Sequence, residues 1–341
     1  MKSKTVFIFI ILIVSIITLV VANMAFGAVK IPFDQVFSIL AGNEPVKSSW
    51  GVIVKESRLP QTITAMLCGS SLAVAGLLLQ TAFRNPLAGP DILGVNGGAG
   101  LGVAMVMLLF GGNISTGSMT VGGSLSVILG AFAGAITVIG IILFLSGRIK
   151  NNVMLLIAGV MISYLTSSAI SLLNFFSTSE GVHSYIMWGM GNFGGVTLGQ
   201  LPFFSISTSA SLLVALALIK PLNALLLGDY YAENLGINIS RVRTLLLIST
   251  GVLVAVTTAF CGPVSFLGLA VPHMARMILN SNNHKSLMPA TILTGATVAL
   301  LCNLISSLPG DRGLIPINAI TPFIGAPVIL KVLLSKGKKI K

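Results

Sequence analysis

Residues 58–102 read RLPQTITAMLCGSSLAVAGLLLQTAFRNPLAGPDILGVNGGAGLG. The stretch begins at a charge, Arg58, and stays apolar and small for roughly 25 residues, enough to cross a hydrocarbon layer of about 30 Å. It stops at the turn Arg84, Asn85 and Pro86, with Gly89 and Pro90 just beyond. A second apolar segment follows, in which Gly94, Gly98 and Gly102 recur every fourth residue. Positions four apart share one helix face, and glycines there let two backbones approach closely in lipid. The spacing predicts a helical hairpin within a membrane. The glycine face either packs against another helix or lines a path.

Composition places the whole chain in the same class. Of 341 residues, 55% are hydrophobic and 8% charged, against about 25% charged in soluble domains. So little charge cannot cover a globular surface, and mean hydropathy is +0.99. The apolar runs are about twice the ten-residue alternating segments of a membrane β-barrel. An all-α polytopic membrane protein is expected, because a helix satisfies its own backbone hydrogen bonds in lipid.

Outward from the hairpin, residues 1–28 are basic, then apolar, then small. The apolar run of about 20 residues exceeds a signal-peptide core, so an uncleaved first helix is expected. Residues 29–57 form an outer connection, and 111–119 a turn. Helix four is expected over 120–145, with Gly130 and Gly134 on one face, and helix five over 153–175. Residues 176–199 are too polar and glycine-rich for a simple span. Helix six takes 200–219, helix seven 244–262, a proline-broken helix eight 262–278, helix nine 287–308 and helix ten 316–334. Ten spans put both termini in the cytoplasm. Fifteen of the twenty Lys and Arg then lie inside and five outside, namely Lys30, Lys47, Lys55, Arg58 and Arg312. That distribution follows the positive-inside rule, so the net charge of +12 points to membrane lipid and not to nucleic acid. A single permease domain over 1–341 is expected, with 1–57 as first helix and outer connection and 58–341 as core.

Catalytic chemistry has little to stand on. All eight acids fall in connections or at helix ends, whereas ion-coupled carriers place ionisable groups inside the bundle. His183, His273 and His284 lack acids at metal spacing, and Cys68, Cys261 and Cys302 stand alone in apolar runs, so no metal site is expected. No G-x-x-x-x-G-K-[ST] occurs in the chain, so uphill transport would draw its energy from another protein. On composition the segment 220–243 is either the place that receives this force or a plain solvated cytoplasmic loop. It holds Asp229 and Glu233 on one helix face, Gly236 as a stop, then Arg241 and Arg243.

Six blocks carry a family resemblance in order: RLPQTITAML, LLLQTAFRNPLAGPDILGVNGGAG, WGMGNFGG, GDYYAENLGI, GPVSFLGLAVPHMAR and ITPFIGAPVILKVLL. From about Arg58 to the C-terminus the chain resembles the FecCD-type membrane subunits of binding-protein-dependent ABC importers for iron-siderophores, haem and cobalamin. The resemblance implies an inner-membrane permease of ten helices that is not an enzyme. It implies a second permease copy, cytoplasmic ATPases holding ATP and Mg, and an extracytoplasmic substrate-binding protein. It assigns coupling to Gly228–Ile237, with Gly228, Asp229, Glu233, Leu235 and Gly236 in the matching block. It marks Pro272, His273 and Arg276 as a cytoplasm-proximal signature and Arg58 as a candidate for binding-protein docking, which Lys55 and Arg312 join on charge alone. Two departures stand out. Many relatives carry arginine where Gln61 stands, and glutamate where Leu314 stands. An ion-coupled secondary carrier is the alternative from another class.

Overall fold

The computed structural model describes residues 2–116, 119–149, 151–308 and 313–337. It is helical apart from one small β-hairpin. In chain order the helices are α1 (Lys2–Ala25), α2 (Phe33–Leu40), α3 (Ser48–Val52), α4 (Leu59–Ala82), α5 (Val95–Ala104), α6 (Ser124–Arg148), α7 (Asn152–Phe176), α8 (Ser179–Gly189), α9 (Leu201–Ala217), α10 (Ile219–Leu225), α11 (Asp229–Asn234), α12 (Ile239–Cys261), α13 (Leu267–Leu279), α14 (His284–Ser307) and α15 (Ile317–Gly337). Widened π turns at Ile53–Arg58 and Met105–Leu109 join α3 to α4 and extend α5.

Among the described residues seven helices are long and apolar enough to cross a membrane, and α9 with α10, bent by 49° at Leu218, makes an eighth if the pair is one span. Val95–Leu109 and Leu267–Leu279 are apolar but shorter. Several starts have a local cause. The Asn151 side chain accepts from the amides of Val153 and Met154, Asn238 from that of Arg241, and Asn283 from that of Lys285. Each satisfies amides that an α-helix leaves orphaned in its first turn.

Three expectations change. The turn expected at 111–119 is part of a β-hairpin, β1 (Asn113–Thr116) against β2 (Met119–Gly122), with Asn113 opposite Gly122. Helix four therefore begins at Ser124, not at 120. The helix expected to break at its proline runs unbroken from Leu267 to Leu279 with Pro272 inside, because one proline removes one amide donor and the remaining turns hold. Residues 176–199, expected to be too polar and glycine-rich for a simple span, contain the eleven-residue α8, whose Tyr185 and Trp188 rings stack at 6.1 Å.

Two units make up the chain: residues 1–74, 192–210 and 264–341, and residues 75–191 and 211–263. In the first, Met24, Ile31, Val36, Ile39 and Val54 form a core beneath α2. There too α4 meets α14 backbone to backbone, and a Cβ on Gly69 would lie 2.3 Å from the Gly295 carbonyl oxygen. In the second, α5 packs on α6 and α7, and α6 on α12. The outward faces are apolar: Phe7 and Ile17 on α1, Leu165 on α7 and Ile206 on α9 are well exposed. Lipid is the solvent such faces require.

Candidate functional site: the coupling segment and its surroundings

The segment 220–243 folds as α10, the short α11 and the first turn of α12. Gly228 precedes α11 with φ 118°, and Gly236 follows it with φ 78°. Behind α11 the amide of Gly236 donates to the Glu233 carbonyl at 2.8 Å, and that of Ile237 to the Ala232 carbonyl at 3.1 Å. This is a Schellman stop, which needs a left-handed residue at the position Gly236 fills. Asp229 and Glu233 stand one turn apart on α11, with Glu233 exposed. Ala232 is the buried residue of the helix, while Tyr230, Tyr231, Leu227 and Leu235 are exposed. Arg241 is exposed and Arg243 half-buried on α12.

Sequence reading treated Arg84, Asn85 and Pro86 as a hairpin turn and nothing more. The structure brings that turn to α11: Arg84 Nη2 lies 2.5 Å from Asp229 Oδ1. Arg84 has φ 48°, a left-handed conformation that non-glycine residues adopt uncommonly. Asn85 Oδ1 accepts from the Leu87 amide at 2.9 Å, which closes the turn locally. Further along, Asn96 donates to the Asp91 carboxylate and accepts from Thr258 Oγ1 at 2.7 Å.

The glycine ladder resolves in two ways. A Cβ on Gly98 would lie 2.6 Å from the Gly134 carbonyl oxygen, and one on Gly102 would lie 1.9 Å from that of Gly130. These four glycines are therefore the seam between α5 and α6. Gly94 does not share that face. It precedes α5 in the left-handed region, φ 76°, and faces Gly159 and Ile162 of α7. The i, i+4 spacing assumed a helix already running at 94, and it starts one residue later.

The docking trio separates. Lys55 is exposed. Arg58 is only 7% exposed, and its guanidinium donates to the carbonyl of Met24 at 2.6 Å and to that of Val29. A cation so committed cannot reach a partner protein, which corrects the docking assignment; it closes the C-terminal end of α1 instead. Arg312 lies outside the described residues. Pro272 and His273 are buried in α13, and Arg276, one turn on, is half-buried.

Sequence reading missed one polar cluster. Gln61 Nε2 donates to Asn303 Oδ1 at 2.9 Å, and Asn303 Nδ2 to Asn23 Oδ1 at 2.8 Å. Asn23 Nδ2 in turn reaches the Leu300 carbonyl at 3.0 Å. All three amides border a cavity of about 340 Å³ that Arg58, Ser307 and Leu314 also line. The signal was present as asparagines within apolar runs, where side chains bond across helices. Both departures from the family pattern, Gln61 and Leu314, meet at this cavity.

Comparison with known proteins decides the class. The family model of the FecCD transport family matches residues 11–335. The chain belongs to the FecCD transport family. It is a multi-pass membrane permease of the ABC-importer class. It is similar to the vitamin B12 import system permease protein BtuC of Escherichia coli O157:H7 (strain EC4115 / EHEC), 33% identical over 287 residues, covering 84% of this chain and 85% of that one. BtuC of Shigella sonnei (strain Ss046) matches with the same identity and coverage. A solved structure of an ABC transporter assigned to the metal-chelate type, in an inward-facing conformation, superposes with a TM-score of 0.81 at 29% identity, covering 95% of this chain and 97% of that one. The family match starts well before Arg58, so the FecCD pattern includes most of α1.

Proposed function

We propose that this chain is the inner-membrane permease of an importer for a large metal chelate, working with separate ATPase subunits, an extracytoplasmic binding protein and a second permease copy. The observation that carries the reading is the family match over 11–335. ATP and Mg stay on the ATPase, and the chain contributes a path and a coupling segment. Both short apolar helices, Val95–Leu109 and Leu267–Leu279, count as spans in this reading. They bring the total to ten and leave both termini in the cytoplasm, within one permease domain.

Substrate arrives from the binding protein at the outer face and passes between the two permease copies. ATP-driven closure of the ATPases presses on α11. The exposed Tyr230, Tyr231 and Leu235 offer apolar contact, and Glu233 offers charge. Pro272, His273 and Arg276 lie on the cytoplasmic side in this topology, and Lys55 is the remaining described candidate for steering the binding protein.

The substrate is a corrinoid or an iron(III)-siderophore. Family frequency favours the siderophore, while the B12 permeases at 33% identity favour the corrinoid; haem ranks behind both. The test is reconstitution in liposomes with the candidate ATPase and binding protein, offering radiolabelled cobalamin and radiolabelled iron(III)-hydroxamate in separate assays. ATP-dependent uptake of one chelate, uncoupled from hydrolysis by Glu233→Arg, is the expected result. Uptake that needs no ATPase and follows an imposed proton gradient would replace the importer with an ion-coupled carrier.

A further inference from the structure

The helix α11 has a glycine with positive φ at each end, Gly228 and Gly236. Glycine resists backbone rotation less than any other residue. The Gly236 end is held by the two backbone bonds of its stop, which lead on to α12, but the chain offers α11 no short route to the turn at Arg84. Something outside the backbone must link α11 to that turn if its movement is to reach the segment between α4 and α5. Such a tie is the side-chain contact between Asp229, the first residue of α11, and Arg84, 145 residues earlier.

Arg84 leads into a stiff path. The turn after it closes on Asn85 and passes through the short 3₁₀ stretch Pro90–Leu93. That stretch meets α7 so closely that a Cβ on Gly159 would lie 2.4 Å from the Ile92 carbonyl oxygen. The helix α5 follows, locked to α6 along Gly98, Gly102, Gly130 and Gly134. The 3₁₀ stretch, α5, α6 and α7 thus have no room to slide independently. Displacement delivered to Arg84 is displacement of that block.

We infer that the Arg84–Asp229 pair is the strut through which α11 drives the α4–α5 turn, making Arg84 a positioning residue for transport. The inference rests on the reading of α11 as the coupling segment. Both side chains are close to half exposed, 45% and 44%, and pairs that exposed contribute little to stability. Stability is therefore a weak account of a contact spanning so much sequence. A strut carries load only while the pair is closed, so salt should loosen it.

The experiment measures ATPase co-purification, ATP hydrolysis and chelate uptake separately, in liposomes holding the full complex. Arg84→Gln is expected to keep the ATPase bound and hydrolysing while uptake per ATP falls at least threefold. The exchange Arg84→Asp with Asp229→Arg is expected to recover most of that ratio, and wild-type coupling is expected to fall as salt rises. Thermal unfolding of Arg84→Gln should match wild type. Unchanged uptake per ATP in Arg84→Gln overturns the strut and leaves the coupling reading standing. A loss that the charge exchange fails to recover also overturns it. If Glu233→Arg leaves coupling intact as well, the coupling reading itself is what fails.

Discussion

The Gln61 amide donates to the side chain of Asn303 at 2.9 Å, and Asn303 donates onward to Asn23 at 2.8 Å. At this cluster the three helices α1, α4 and α14 are joined through neutral side-chain amides. A neutral network avoids the desolvation cost of buried ions. It is also vulnerable at its centre, since removing Asn303 strands two partners.

Asn303→Ala is expected to destabilise the chain by about 1–2 kcal/mol, because interhelical hydrogen bonds in membranes average under 1 kcal/mol and two are lost. Gln61→Ala removes only the end of the network and should cost less. Thermal unfolding in detergent, with Asn303→Ala below Gln61→Ala below wild type, is the check.

Arg58→Gln leaves the Met24 and Val29 carbonyls without their cationic donor. A hydrogen bond to a charged group contributes roughly 1.5–3 kcal/mol, so a loss of about 2 kcal/mol is expected. Lys55→Gln, on an exposed side chain, should leave unfolding unchanged and affect only the rate of binding-protein association. Equal melting curves for Arg58→Gln and wild type would contradict the end-closing role of Arg58.

The α5–α6 seam predicts a rank order. A Cβ on Gly102 meets the Gly130 carbonyl oxygen at 1.9 Å, whereas a Cβ on Gly130 meets that of Gly102 at 2.9 Å, and nothing lies within 4 Å of one on Gly140. Overpacking of this kind costs about 1–3 kcal/mol. Gly102→Ala should be the most damaging and Gly130→Ala milder. Gly140→Ala should gain up to about 1 kcal/mol from helix propensity. Yield of folded protein by size-exclusion chromatography, with melting temperature, reads the order.

Gly236→Ala places a Cβ in the left-handed region, at a cost of about 1–2 kcal/mol. Asn tolerates that conformation better, so Gly236→Asn should sit between Ala and wild type. The readout is hydrogen exchange at the Ile237 amide, whose bond to the Ala232 carbonyl opens when the stop unwinds. Equal protection in all three proteins would count against the Schellman stop.

Much of the fold was legible because hydropathy and punctuation are local properties. The apolar runs marked the long helices to within a few residues, whereas the caps Asn151, Asn238 and Asn283 emerged only with the structure. Gly236 marked a stop, since only a left-handed residue closes α11 there. The hairpin at 113–122 was not legible. Its strands are too short for an alternation to stand out, and their pairing depends on register.

Of the candidate site, the sequence by itself determined the membrane class, most of the long helices and the stop at Gly236, while only the resemblance singled out Gly228–Ile237. The first three follow from composition, period and backbone chemistry. The tertiary structure alone decided that the four glycines of α5 and α6 face each other, that Arg58 turns inward to two carbonyls, and that Arg84 reaches Asp229. In lipid both the packed and the outward faces of a helix are apolar, so no contrast along the chain says which face meets which. Contacts between residues 145 apart depend on where whole helices come to rest, and only packing sets that.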